Sequence, residues 1–168
     1  MIITGKATVF GDNINTDVII PGRYLTILDA EELAKHAMEG LDPDFPEKAR
    51  EGVIIVAGRN FGCGSSREQA PIALKNAGVK CVLAESFARI FFRNSINVGL
   101  PILECPNITQ HVSEGDQLTI DLVEGKIINN RSGAILRASP LPNFLLTIIK
   151  DGGLIEHLKR RVHKNEKI

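Results

Sequence analysis

The chain has 168 residues, 20 Lys and Arg balanced by 20 Asp and Glu, 43% hydrophobic and 24% charged residues. That length suits one domain or a tight pair with a real core, and that composition excludes a disordered chain. Zero formal net charge argues against a nucleic-acid binder, and no apolar run approaches the roughly 20 residues of a bilayer span. The start, Met1 to Lys6, lacks the charged-then-apolar plan of a signal peptide. The cysteines, Cys63, Cys81 and Cys105, are odd in number and widely spaced, which fits a reducing cytoplasm better than a disulfide framework. With no C-x-x-C, they cannot assemble a self-contained metal cluster, so no metal is expected on this chain.

Ile2 to Phe10 places Ile3, Gly5, Ala7 and Val9 on one side and Ile2, Thr4, Lys6, Thr8 and Phe10 on the other, which reads as a first strand. Gly11 to Arg23 is rich in Asx residues and ends in a Pro-Gly pair; it reads as loop, with Val18-Ile19-Ile20 open to a short strand stopped by Pro21. Asp29 is placed to cap a helix from Ala30 to Met38 that ends near Gly40. Leu41 to Gly52, with Pro43 and Pro46 among acidic residues, reads as a surface connection. Val53 to Ala57 is a continuous apolar run, the mark of a strand covered on both faces. A glycine-rich turn from Gly58 to Ser66 leads into a helix from Arg67 to about Ala77.

Cys81 to Ala84 is a second buried strand, Phe87 to about Ile96 a helix, and Leu100 to Glu104 a third strand. This alternation predicts parallel strands with helical crossovers. Gln117 to Leu122 and Lys126 to Asn129 flank Val123-Glu124-Gly125, a hairpin signal, and Ala134 to Arg137 is a candidate further strand. Pro142 opens a terminal helix with Phe144, Leu145, Ile148 and Ile149 on one stripe. Gly152-Gly153 breaks it, and Leu154 to Val162 resumes it into a basic tail, residues 159–168, read as a solvated helix end. The expected fold class is α/β: a parallel strand-helix core with additional β-hairpin strands and a C-terminal helix.

The segment with the most chemistry is Asn60-Phe61-Gly62-Cys63-Gly64-Ser65-Ser66-Arg67-Glu68-Gln69, between a buried strand and a helix. Its glycines permit a sharp turn and close approach of a ligand. Ser65 or Ser66 is placed to cap the helix, with Glu68 or Gln69 completing a capping box. First-turn amides and the planar fork of Arg67 suit a carboxylate or phosphate, at the carboxyl end of a parallel strand where such ligands sit. No Gly-Lys-Ser/Thr triplet is present, against a P-loop, and Ser65 lacks the G-x-S-x-G setting of a serine hydrolase. Cys63 is either a thiol nucleophile or a small space-filler. In a second cluster, Asp12 to Tyr24, Asp17 and Arg23 either frame a carboxylate site or satisfy their own loop. In the third, Glu85 to Asn94, Phe87, Ile90 and Phe91 read as a core face, and Arg89 and Arg93 as a contact for substrate or partner.

Asn15-Thr16-Asp17, Phe61 to Glu68, Ser86 to Phe91 and Asn97-Val98-Gly99-Leu100, in this order, resemble the small-subunit family of 3-isopropylmalate dehydratase, within the aconitase superfamily. The resemblance covers essentially the whole chain, residues 1–168. It implies a swivelling β/β/α domain and a hydro-lyase subunit of leucine biosynthesis that isomerises 2- and 3-isopropylmalate by dehydration and rehydration. It also implies an obligate large subunit carrying a 4Fe-4S cluster, in a heterodimer or heterotetramer, with none bound by this chain and a small dicarboxylate as substrate. By the same resemblance Ser65 is the catalytic base, Ser66 and Arg67 bind a substrate carboxylate, and Asp17 lines the site. Tyr24, Leu25, Thr26, Ile27 and Leu28 fall at the substrate-recognition loop, where relatives that take an extra carboxylate tend to carry an arginine. The apolar run here favours an isopropyl group, although Arg23, just before it, is a candidate carboxylate ligand. Homoaconitate, citraconate and dimethylmalate chemistry stay open, as does a non-catalytic dicarboxylate-binding module or a thiol sensor built on Cys63.

Overall fold

In the computed structural model, which describes residues 1–165, a seven-stranded sheet runs in the order β4-β3-β2-β1-β5-β6-β7. Its strands are β1 (Ile2–Val9), β2 (Val53–Ala57), β3 (Val79–Ala84), β4 (Ile102–Glu104), β5 (Gln117–Asp121), β6 (Lys126–Asn129) and β7 (Ile135–Arg137). The helices are α1 (Thr16–Ile19), α2 (Ala30–Ala34), α3 (Phe45–Ala49), α4 (Gln69–Ala77), α5 (Arg89–Val98), α6 (Ile108–His111), α7 (Asn143–Lys150) and α8 (Leu154–Asn165), with a 3-10 turn at Gly22–Tyr24. β1 to β4 pair in parallel, and β1 pairs antiparallel with β5 on its other side, beginning a meander through β6 to β7. β1 is therefore the seam: Lys6 to Val9 pair with β2, and Ile2 to Lys6 with β5.

The burial of β2 at every position explains its unbroken apolar sequence. α4 and α6 pack on the central strands, α4 packs in turn on α2 and α5, and α5 meets α7 and α8. In β1 the alternation holds from Ile2 to Ala7 and then lapses, because Thr8 is buried as well. That lapse coincides with the stretch paired to β2, where both faces of the sheet are covered.

Several local expectations give way to tertiary contacts. Val18-Ile19-Ile20 is not a strand; Thr16–Ile19 forms a short helix whose N-cap, Asn15, accepts from the Val18 amide at 2.9 Å. Asp29 does cap the next helix, accepting from the Glu32 amide, but regular α-helix stops at Ala34 and gives way to turns, with Met38 in the left-handed region. The 41–52 segment is more than a surface connection. It contains α3, whose Phe45 is wholly buried, with ring centroid 5.9 Å from that of Phe10. In α7 the buried stripe is Leu146 and Ile149, while Phe144 is exposed. In α5, Phe91 is buried but Ile90 is about half exposed, and Phe87 precedes the helix. Lys159 and Arg160 are exposed on α8, paired with Glu156 and Asp151; the tail beyond residue 165 lies outside the described residues.

Candidate functional site

Three loops leave the carboxyl ends of β1, β2 and β3 at one edge of the sheet, and short bridges continue the parallel order beyond it. Asn15 pairs with Cys63, and Phe61 with Phe87. The Thr16 amide donates to Cys63 O at 2.8 Å, Gly62 N to Ile14 O at 2.7 Å, and Ala88 N to Phe61 O at 2.9 Å. The Thr16 hydroxyl, buried within the fold, donates to Ser65 O at 2.9 Å. The three motifs, far apart in sequence, are thus stitched into one surface.

Glycine is required at the turn. Gly62 has φ +79°, and a Cβ there would lie 2.1 Å from a ring carbon of Phe91. Gly64, at φ +91°, has room around it but needs the left-handed backbone. Past the turn, α4 begins at Gln69 and not at Arg67, and its N-cap, Glu68, makes no side-chain cap hydrogen bond. The expected capping box is therefore absent, and Pro71 in the first turn is the reason. Proline has no N–H for a cap to satisfy and suits the opening of a helix, which fixes the start later than the serines suggest. Ser65 and Ser66 are exposed, and among the described residues neither hydroxyl has a hydrogen-bond partner.

Arg67 is the fixed element. Its side chain is only 13% exposed; Nη1 donates to Ile20 O at 2.9 Å, and Nη2 lies 2.5 Å from Asp17 Oδ1. Both partners belong to α1 or its C-cap, so the second cluster aims the guanidinium of the first. Gly22 lies against the same group: a Cβ there would meet Arg67 Nη2 at 3.6 Å and Asp17 Oδ1 at 4.0 Å. Asp17 is largely exposed, so its carboxylate meets solvent as well as Arg67.

Arg23 is not brought to this cluster. Its Nη2 donates to Glu39 Oε1 at 2.5 Å and its guanidinium lies 4.7 Å from the Tyr24 ring centroid. In the following segment Tyr24, Leu25 and Ile27 are half-buried, Thr26 is exposed, and Leu28 is 99% exposed. Gln69 Nε2 holds the segment to the start of α4 through Leu25 O at 3.3 Å. Arg89 and Arg93 are exposed on α5, beside Phe87, Phe92 and Glu104.

Thr16, Gln69, His36 and Glu39 carry parts of this arrangement that the sequence reading passes over. Asn15-Thr16-Asp17 marks its neighbourhood, and His36 and Glu39 pair locally at i,i+3, but their link to the site runs through Arg23 and Tyr24, which lie a chain reversal away. Two of the three cysteines, Cys81 and Cys105, are buried. Burial drives the Cys81 thiol far above its usual range, and burial, with Glu85 nearby, pushes Cys105 up to about 11. Of the three cysteines, only Cys63 belongs to the site loop.

Comparison with known proteins agrees with this geometry. Residues 35–107 match the family model for the aconitase C-terminal domain. Over 159 residues the chain is 59% identical to the 3-isopropylmalate dehydratase small subunit 1 of Methanopyrus kandleri, covering 95% of this chain and 94% of that one. It is 52% identical over 165 residues to the isopropylmalate/citramalate isomerase small subunit of Methanocaldococcus jannaschii, covering 98% of each. A crystal structure of 3-isopropylmalate dehydratase from the same organism superposes with a TM-score of 0.93 at 47% identity, covering 99% of both chains. Identity of this degree across nearly the full length, on a shared fold with the serine-arginine loop at its sheet edge, places this chain in the 3-isopropylmalate dehydratase small-subunit family of the aconitase superfamily.

Proposed function

We propose that this chain is the small subunit of an isopropylmalate isomerase, a cytoplasmic hydro-lyase of leucine biosynthesis that interconverts 2- and 3-isopropylmalate with a large partner subunit. The observation that carries the reading is the fixed Arg67 guanidinium, next in sequence to two exposed, unengaged serines on the loop at the carboxyl edge of the parallel strands. Arg67 and Ser66 receive a substrate carboxylate, and Asp17 holds the fork of Arg67 in the orientation for bidentate contact. Ser65 takes the proton from the substrate carbon and returns it to the neighbouring carbon. A serine hydroxyl is a weak base at its ordinary pKa, so Arg67 must stabilise the alkoxide. Covering by the large subunit strengthens that effect by removing water.

A 4Fe-4S cluster on the large subunit supplies Lewis acidity at the departing hydroxyl when bound. The segment 24–28 faces the substrate's distal group with Leu25, Thr26, Ile27 and Leu28, which suit an isopropyl or methyl substituent. A second reading, activity on citramalate as well, is favoured by the name of the Methanocaldococcus relative.

Both readings are tested by co-expressing the chain with its large subunit, reconstituting the cluster, and assaying 2-isopropylmalate, citramalate and dimethylmalate. The complex is expected to isomerise isopropylmalate, and the isolated chain to convert none of the acids; activity of the chain alone sinks the two-subunit reading. Ser65→Ala is expected to leave assembly intact and lower kcat by at least about 10²-fold, the contribution of a positioned proton-transfer group.

A further inference from the structure

The recognition segment is anchored at its root by a polar cluster that the site chemistry leaves unused. Glu39 lies at its centre: Oε1 accepts from Arg23 Nη2 at 2.5 Å and from the Tyr24 hydroxyl at 3.0 Å, and Oε2 lies 2.8 Å from His36 Nδ1. Tyr24 stacks on His36 with centroids 3.7 Å apart and planes 10° from parallel, and Arg23 caps the same ring. One carboxylate therefore holds the first two side chains after Gly22, and Gly22 itself packs against the Arg67 guanidinium.

Arg23 follows that contact directly, yet its charge is turned toward Glu39. Its side chain is 64% exposed, and an exposed ion pair is a weak restraint. The direction of this arginine is set by one acid, Glu39, together with the face of the Tyr24 ring. The consequence for the site is electrostatic. A guanidinium free beside Arg67 offers a second fork for carboxylate, while one tied to Glu39 is neutralised and leaves only uncharged side chains along 25–28. A substrate with a further carboxylate then loses its water without gaining a partner, which is costly on burial.

We propose that Glu39 is a specificity-determining positioning residue that keeps the site for acids with an apolar distal group by holding Arg23 out of it. The proposal rests on the isomerase reading above. Releasing Arg23 opens the same segment to acids bearing a third carboxylate.

The test uses the reconstituted complex with 2-isopropylmalate and homoaconitate as probes. Glu39→Gln keeps a hydrogen-bond acceptor but removes the charge that holds Arg23. Its kcat/KM for homoaconitate relative to isopropylmalate is expected to rise about two- to fivefold, the effect of removing one exposed ion pair that competes for Arg23. The change should fall on KM for homoaconitate, with kcat on isopropylmalate retained. Adding Arg23→Ala to Glu39→Gln is expected to return the ratio to the wild-type value, which a merely structural role for Glu39 does not predict. Should Glu39→Gln fail to assemble, Glu39→Asp, one methylene shorter, is expected to move the ratio the same way by a smaller factor. An unchanged ratio in an active variant, or a gain that survives removal of Arg23, overturns the proposal alone. A wild-type complex that converts neither acid overturns the isomerase reading and this proposal with it.

Discussion

Gly62 and Arg67 show how little freedom the site loop has. An alanine at Gly62 must hold φ +79° and place its Cβ 2.1 Å from the Phe91 ring. The left-handed backbone costs about 1–2 kcal/mol, and clearing the ring costs about 1–3 kcal/mol more. Gly62→Ala is therefore expected to lower unfolding stability by roughly 2–5 kcal/mol in urea melts, with Gly62→Ala/Phe91→Leu less destabilised than the two single changes added together. Arg67→Lys tests the guanidinium instead. An ammonium can keep one of the contacts to Ile20 O and Asp17 but offers no planar fork to a substrate carboxylate. The reconstituted complex should lose about 10- to 100-fold in kcat/KM, with KM raised, at nearly unchanged melting temperature; unchanged kinetics would remove Arg67 from the site.

Among the elements, α3 depends on distant contacts. Five residues cannot sustain a helix by propensity in water, and what holds this one is Phe45, wholly buried near Phe10 at the end of β1. Phe45→Ala should cost about 3–5 kcal/mol, measured by thermal or urea unfolding. A comparable dependence on charge ties the β5–β6 hairpin to its approach. Asp116, 4% exposed, accepts from the Ser113 backbone amide at 2.9 Å and from Asn129 Nδ2 at 2.7 Å, and pairs with Arg131 at 3.1 Å.

Those partners, the Ser113 backbone first, hold its carboxyl below the usual 3.8. With a native value below the unfolded one, Asp116 stabilises the fold above the unfolded value and loses that contribution as pH falls through the native one. Unfolding measured from about pH 5 to pH 2 should show a shallower acid decline in Asp116→Asn than in wild type.

At the scale of the molecule, the sheet joins two halves of different character along β1. The parallel half is buried on both faces, with every residue of β2 inaccessible; the antiparallel half thins toward β7, where Ile135 is 59% exposed. Hydrogen exchange should accordingly be slowest in β2 and β3 and fastest among the strands in β7. Equal protection across all strands would contradict this ranking. The site belongs to the more deeply buried half, at the edge where the three loops meet, so the serines and Arg67 rest on loops anchored by buried strands.

Much of this was legible in the amino-acid order. The apolar runs of β2 and β3, the β5–β6 hairpin around Gly125, and the Gly-Cys-Gly-Ser-Ser-Arg loop are local patterns, because burial on both faces, a reversal and a left-handed turn each impose their own residue types. The family resemblance follows from the same loop and its companions. Pro71, which the sequence reading passes over, suits the first turn of α4 and goes with a helix start beyond Ser65 and Ser66. What tertiary structure alone decided is which groups meet: Asp17 with Arg67, Glu39 with Arg23, Phe45 with Phe10. Exposed charges and short apolar segments have many candidate partners along a chain, and each choice is settled only when the sheet closes and brings one of them within hydrogen-bonding or van der Waals distance.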